Sequence, residues 1–145
     1  MIKLNKVLYT AVATAEGGRD GHTATDDGKL DVKVVPPVEL GGPADGFGTN
    51  PEQLFAAGYA SCFHSAVKLV AQRLKLDPEG STVTAKVGFG SIEGSPGFGL
   101  TVELLISLPG VPDREQAEQV VDRAHKVCPY SNAVRDNIGV TLTLT

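Results

Sequence analysis

Residues 51–74, PEQLFAAGYASCFHSAVKLVAQRL, constrain the fold more than any other stretch. Asn50 is a good N-cap, Pro51 a good first helical residue, and Gln53 completes a capping-box spacing, so a helix is expected from about Pro51 to Leu74. It is apolar on most sides through Val67, before Lys68, Arg73 and Lys75 appear. A helix without a clear polar face must be buried, by its own domain or by a partner. The charge-free run from Gln53 to Val67 is too short to span a bilayer, which favours a buried core helix.

Around this helix the patterning is that of strands. Residues 7–15 are rich in β-formers and GGRDG (17–21) breaks them. HTAT (22–25) and KLDVKV (29–34) flank a DDG turn, so the N-terminal third is expected to be a small antiparallel sheet. A loop rich in proline and glycine follows at 36–50. Residues 81–94 and 97–108 read as two long strands. The second places Phe98, Leu100, Val102, Leu104, Ile106 and Leu108 on one face. Ala117, Val120, Val121, Ala124, Val127 and Cys128 then fall at helical spacing, and Pro129 stops the helix. NIGVTLTLT closes the chain as a last strand. Strands, helix, strands, helix, strand makes the class α+β, with a single domain over residues 1–145.

A formal charge of −4 and a pI of about 5.3 disfavour nucleic acid or anionic membrane as partners. The N-terminus MIKLNKVLYTAVAT alternates like a strand rather than a signal segment. Two cysteines without an export signal point to the cytoplasm. There, cysteines tend to be buried, catalytic or metal-binding. The glycines at 41, 42, 46 and 48 do not form a phosphate cradle, and the three histidines form no metal spacing with either cysteine.

Those cysteines, Cys62 and Cys128, lie in the buried helix and at the end of the second helix's apolar stripe, so both face inward. Disulfide geometry, with Cα atoms roughly 4.4–6.8 Å apart, is permitted but not required. Two inert core residues would fit the pattern as well. A reactive cysteine needs its thiolate, and burial opposes ionisation. His64 projects about 200° around the helix from Cys62 and is a poor partner. Arg19 stands in a glycine-flanked loop, where the residues alone favour a solvated turn arginine.

VELGGPADGFGTNPEQLFAAGYASCFHSAV closely resembles the signature of the organic hydroperoxide resistance (Ohr) branch of the OsmC/Ohr family. VCPYSNAVRDNI resembles that branch's second-cysteine motif, and YTAVATAEGGRDGHTATDDGKLDVKV its N-terminal hairpins. The resemblance implies an intertwined α+β homodimer, with antiparallel sheets packed around a buried central helix and a second amphipathic helix. It implies a thiol peroxidase for organic hydroperoxides, fatty-acid hydroperoxides included, with Cys62 peroxidatic, Cys128 resolving, and Arg19 and Glu52 a supporting pair. It further implies no metal or bound cofactor, and dihydrolipoamide on lipoylated proteins as reductant.

Two inferences then follow from the residues. Glu52 and Cys62 are ten residues apart, roughly 15 Å on a straight helix. Antiparallel pairing with a second copy would bring Glu52 of one protomer near Cys62 of its partner. Phe63 and Tyr130, beside the cysteines, suit an alkyl chain, although core packing accounts for them equally well. The competing readings are an OsmC-branch peroxidase, a cysteine hydrolase, and a non-catalytic dimeric ligand-binding protein with structural cysteines.

Overall fold

The computed structural model describes residues 1–145 and divides into two compact units, 1–51 and 52–145. In the first, β1 (Ala13–Glu16), β2 (Gly21–Thr25) and β3 (Asp31–Val34) form an antiparallel sheet in sequential order. The DDG turn forms as expected. Gly28 N–H closes onto the Thr25 carbonyl at 3.0 Å, and Asp27 accepts from the Thr25 hydroxyl at 2.7 Å. The strand expected over 7–15 is shorter, because β2 runs out of pairing partners. Ala13 already faces Thr25, the Asp26 N–H donates to the Val12 carbonyl, and the chain then turns away. Residues 1–12 therefore have no ladder within the chain, and Ile2, Leu4, Val7, Leu8 and Tyr9 are exposed. The loop from Pro36 to Asn50 carries one 3-10 turn, Val38–Leu40.

The second unit opens with α1 (Pro51–Arg73), within a residue of its expected end. Tyr59, Phe63, Ala66, Val67, Val70 and Ala71 form its buried stripe. Ala57, Ser61, Ser65, Lys68 and Leu69 on other sides are exposed within the chain. The helix continues past the charge-free run through Lys68, so by length and composition alone it is long enough to cross a membrane. Its buried stripe belongs to the core.

The hairpin of β4 (Thr82–Ser91) and β5 (Phe98–Ser107) is in continuous antiparallel register. Val102, Leu104, Ile106 and Leu108 are sealed in the core as the alternation requires. Phe98, expected on that face, lies beyond the core and is exposed, stacked on Phe89 at 5.0 Å. The second helix, α2 (Arg114–Val127), is capped by Asp113, whose carboxylate accepts from the Gln116 N–H at 2.8 Å. It buries Ala117, Val120, Val121 and Ala124.

Three departures from expectation occur beyond α2. Val127 is exposed, because the helix ends there and the backbone leaves the stripe. A further helix, α3 (Pro129–Val134), follows at once. The last strand, β6 (Val140–Leu144), pairs with β5 in parallel, so this sheet is mixed rather than wholly antiparallel. The long α2–α3 excursion carries the chain back to the starting end of β5, as a parallel crossover must.

Candidate active site

Cys62 is brought to the site by α1, one turn beyond the buried Tyr59. Cys128 is placed by the α2–α3 corner. Proline at 129 drives the preceding residue out of helical geometry, and Cys128 has φ −65° and ψ 124°. Its backbone stays fixed at both ends: its N–H donates to the Ala124 carbonyl at 2.9 Å, and its carbonyl accepts from the Asn132 N–H at 3.0 Å. Pro129, without an N–H to satisfy, serves as the first residue of α3.

The two sulfurs lie 3.6 Å apart, with the Cys128 thiol donating to Cys62. Both are free thiols; Cys128 is fully buried and Cys62 half-buried. A disulfide bond is ~2.05 Å long, so closure needs an approach of about 1.5 Å, within the reach of small side-chain rotations. The second unit alone thus brings the two free thiols together.

The electrostatics of Cys62 work against a thiolate. Burial pushes its thiol up, and the neighbouring Cys128 thiol adds to that. The Tyr130 peptide N–H pulls the other way. Phe55, Tyr59 and Tyr130 form an aromatic cluster next to this point, with ring centroids 5.7–6.0 Å apart. Tyr130 lies close against α1 at Gly58. A Cβ there would stand 2.8 Å from the Tyr130 hydroxyl.

Tyr59, Ser131 and His125 form a polar chain, buried at the first two and half-buried at the third. Tyr59 Oη and Ser131 Oγ are 2.9 Å apart, and Ser131 Oγ is 3.0 Å from His125 Nδ1. Burial, then the Arg135 charge, push His125 down from its ordinary value. Burial pushes Tyr59 up. Arg135 Nη2 donates to the His125 carbonyl at 2.7 Å and to Asn132 Oδ1 at 2.9 Å, tying the end of α2 to α3.

Of the expected site residues, Cys62 and Cys128 come together. Glu52 sits half-buried in the first turn of α1, ten residues before Cys62. Arg19 belongs to the N-terminal unit, between β1 and β2. Its loop is set by Gly17 and Gly18 at φ 73° and 61°, and the Asp20 N–H closes onto the Gly17 carbonyl. His64 points elsewhere, its Nε2 bonded to Ser81 Oγ at 2.9 Å. Phe63, expected beside the sulfur, is fully buried in the core, whereas Tyr130 is partly exposed. Sequence reasoning missed Tyr59, Ser131 and His125. Their signal was positional: Tyr59 is three residues before Cys62, and His125 and Ser131 lie three either side of Cys128.

Comparison with known proteins gives matches over nearly the whole chain. The family model described as OsmC-like protein matches residues 42–143. An organic hydroperoxide resistance protein of Xanthomonas axonopodis pv. citri is 56% identical over 145 residues, 99% of each chain. The chain belongs to the OsmC/Ohr family, in its organic hydroperoxide resistance branch. Crystal structures from that branch superpose closely. One from Elizabethkingia anophelis has a TM-score of 0.89 at 53% identity, covering 97% of this chain and 98% of its own. OhrB of Bacillus subtilis has a TM-score of 0.86 at 43% identity, covering 96% and 100%. The α+β architecture is therefore the one that solved Ohr proteins share.

Proposed function

We propose that this protein is a thiol peroxidase that confers resistance to organic hydroperoxides. The carrying observation is the pair of free thiols 3.6 Å apart, one buried and one half-buried. In the proposed cycle, the Cys62 thiolate attacks the distal peroxide oxygen. The O–O bond breaks, an alcohol leaves after taking a proton, and Cys62 becomes a sulfenic acid. Cys128 condenses with it, giving a disulfide and water. An external dithiol, dihydrolipoamide in our reading, then attacks the disulfide and is oxidised as both thiols return. No step requires a metal or bound organic cofactor.

Burial raises the cost of the Cys62 thiolate, so the cycle needs a cation. Arg19 fills this role, its guanidinium donating to the sulfur and to the peroxide together. Glu52 orients Arg19. Dimerisation makes this composite, with Glu52 of one protomer serving Cys62 of its partner. Two features favour such a dimer. The apolar N-terminal arm has no ladder in its own chain, and Ala57, Ser61 and Ser65 give α1 an exposed small-residue face suited to close helix packing. The activity is assigned to the cytoplasm, where such thiols stay reduced.

A cysteine hydrolase fits less well. Its base should be a histidine bonded to Cys62, yet His64 is engaged with Ser81 and His125 with Ser131. The deciding assay compares an alkyl hydroperoxide with hydrogen peroxide, using dihydrolipoamide and then a monothiol. Faster turnover of the alkyl substrate with the dithiol supports the reading. Equal rates in all four combinations, or no turnover, overturn it.

A further inference from the structure

We propose that the Tyr59–Ser131–His125 chain is a latch that sets the rate of disulfide closure by holding Cys128 within reach of Cys62. The inference rests on the peroxidase reading above and concerns only its second step.

The geometry is specific. Tyr59 precedes Cys62 by three residues, so on α1 the two side chains share a face about one turn apart. Ser131 follows Cys128 by three on α3, and His125 precedes it by three on α2. The Tyr59–Ser131 bond, 2.9 Å, therefore joins the two cysteine-bearing segments one turn from the sulfurs. The Ser131–His125 bond, 3.0 Å, braces the corner at which Cys128 sits. Tyr59 and Ser131 are both 0% exposed. Tyr59 therefore cannot touch a substrate, and its hydroxyl is free to act only through Ser131 and its neighbours.

With His125 neutral and its proton on Nε2, the order in which Tyr59 donates to Ser131 and Ser131 donates to His125 Nδ1 pairs both hydroxyl protons. A phenylalanine in place of Tyr59 would keep nearly the same shape while cutting the Tyr59–Ser131 bond. A satisfied buried network of this kind rigidifies its surroundings and fixes a unique register. Register is what closure needs here, because reaction between held groups falls steeply with misplacement, about a hundredfold for 1 Å.

Two reactions compete for the sulfenic acid. Cys62–SOH and Cys128–SH give the disulfide and water. Alternatively, Cys62–SOH and a second hydroperoxide give the sulfinic acid and an alcohol, which is a dead end. A looser latch slows the first and leaves the second alone.

The test is Tyr59→Phe, which removes one oxygen from the chain. Rapid-mixing with a tenfold excess of alkyl hydroperoxide, followed by mass spectrometry, reads the sulfinic-to-disulfide ratio. We expect that ratio to rise by up to about tenfold, the equivalent of one hydrogen bond. Peroxide consumption in the first turnover should stay within about twofold of the parent. Ser131→Ala should raise the ratio similarly. The double variant should be no worse than the stronger single, because both cut the same bond. An unchanged ratio in folded Tyr59→Phe, or equal slowing of the first oxidation, overturns the latch. Absence of any disulfide in the parent protein would instead overturn the peroxidase reading beneath it.

Discussion

Gly58→Ala sets a gain in helix propensity against a loss at the sulfur. The new methyl carbon would lie 2.8 Å from the Tyr130 hydroxyl oxygen and 3.2 and 3.3 Å from two ring carbons. The ring must retreat by about 0.5 Å to reach ordinary contact distances. Phe55 at 6.0 Å and Tyr59 at 5.7 Å flank it, so the ring must retreat toward its exposed side. Alanine improves the helix by about 1 kcal/mol, and overpacking costs about 1–3 kcal/mol, so the net loss of stability should be ~0–2 kcal/mol. The effect on Cys62 is separate. The Tyr130 peptide N–H holds the Cys62 pKa down, and a ring pushed outward draws that N–H away. Weakening that interaction should raise the Cys62 pKa further. Thiolate absorbance followed against pH, in a Cys128→Ser background that leaves one thiol, measures this directly. A folded Gly58→Ala protein with an unchanged or lower Cys62 pKa would refute the reasoning.

Arg19→Gln should cost more. In the proposed role, a guanidinium brought to roughly 4 Å from the sulfur would contribute about 4 kcal/mol at an effective dielectric of 20, so kcat/KM for an alkyl hydroperoxide should fall about a thousandfold at neutral pH. A loss of less than tenfold would remove Arg19 from the site. Phe63→Ala, at a fully buried position, should destabilise by ~3–5 kcal/mol in urea titration; a cost below 1 kcal/mol would contradict its place in the core. His125, pushed below its ordinary pKa in the folded state, takes up a proton more readily when unfolded. Its contribution is thus complete above pH ~6.5 and is lost as pH falls from there toward its folded pKa. The urea midpoint should drop on acidification through that range by more in the parent than in His125→Gln, and equal drops would oppose the assignment.

Much of the fold was legible because its signals are local. The N-cap and first-turn residues Asn50, Pro51 and Gln53 located the start of α1, and strict alternation located the β5 stripe from Val102 to Leu108. What escaped was set by tertiary context. β1 is short because its partner strand ends, which no residue in 7–12 announces. At six residues, α3 is too short for a periodicity to register. The parallel pairing of β6 follows from the path of the crossover and not from its own composition. In the site, the two cysteines stood out as the chain's only pair. The Tyr59–Ser131 contact spans 72 positions, and hydroxyl side chains carry no sign of their partners in sequence.

The central claim is that Cys62 and Cys128 act as one redox pair, and intact-mass measurement with peptide mapping tests it most directly. After one equivalent of alkyl hydroperoxide, the protein should lose two hydrogens, and the cross-link should map to peptides containing Cys62 and Cys128. Addition of one or two oxygens to Cys62, with Cys128 still alkylatable, would contradict it.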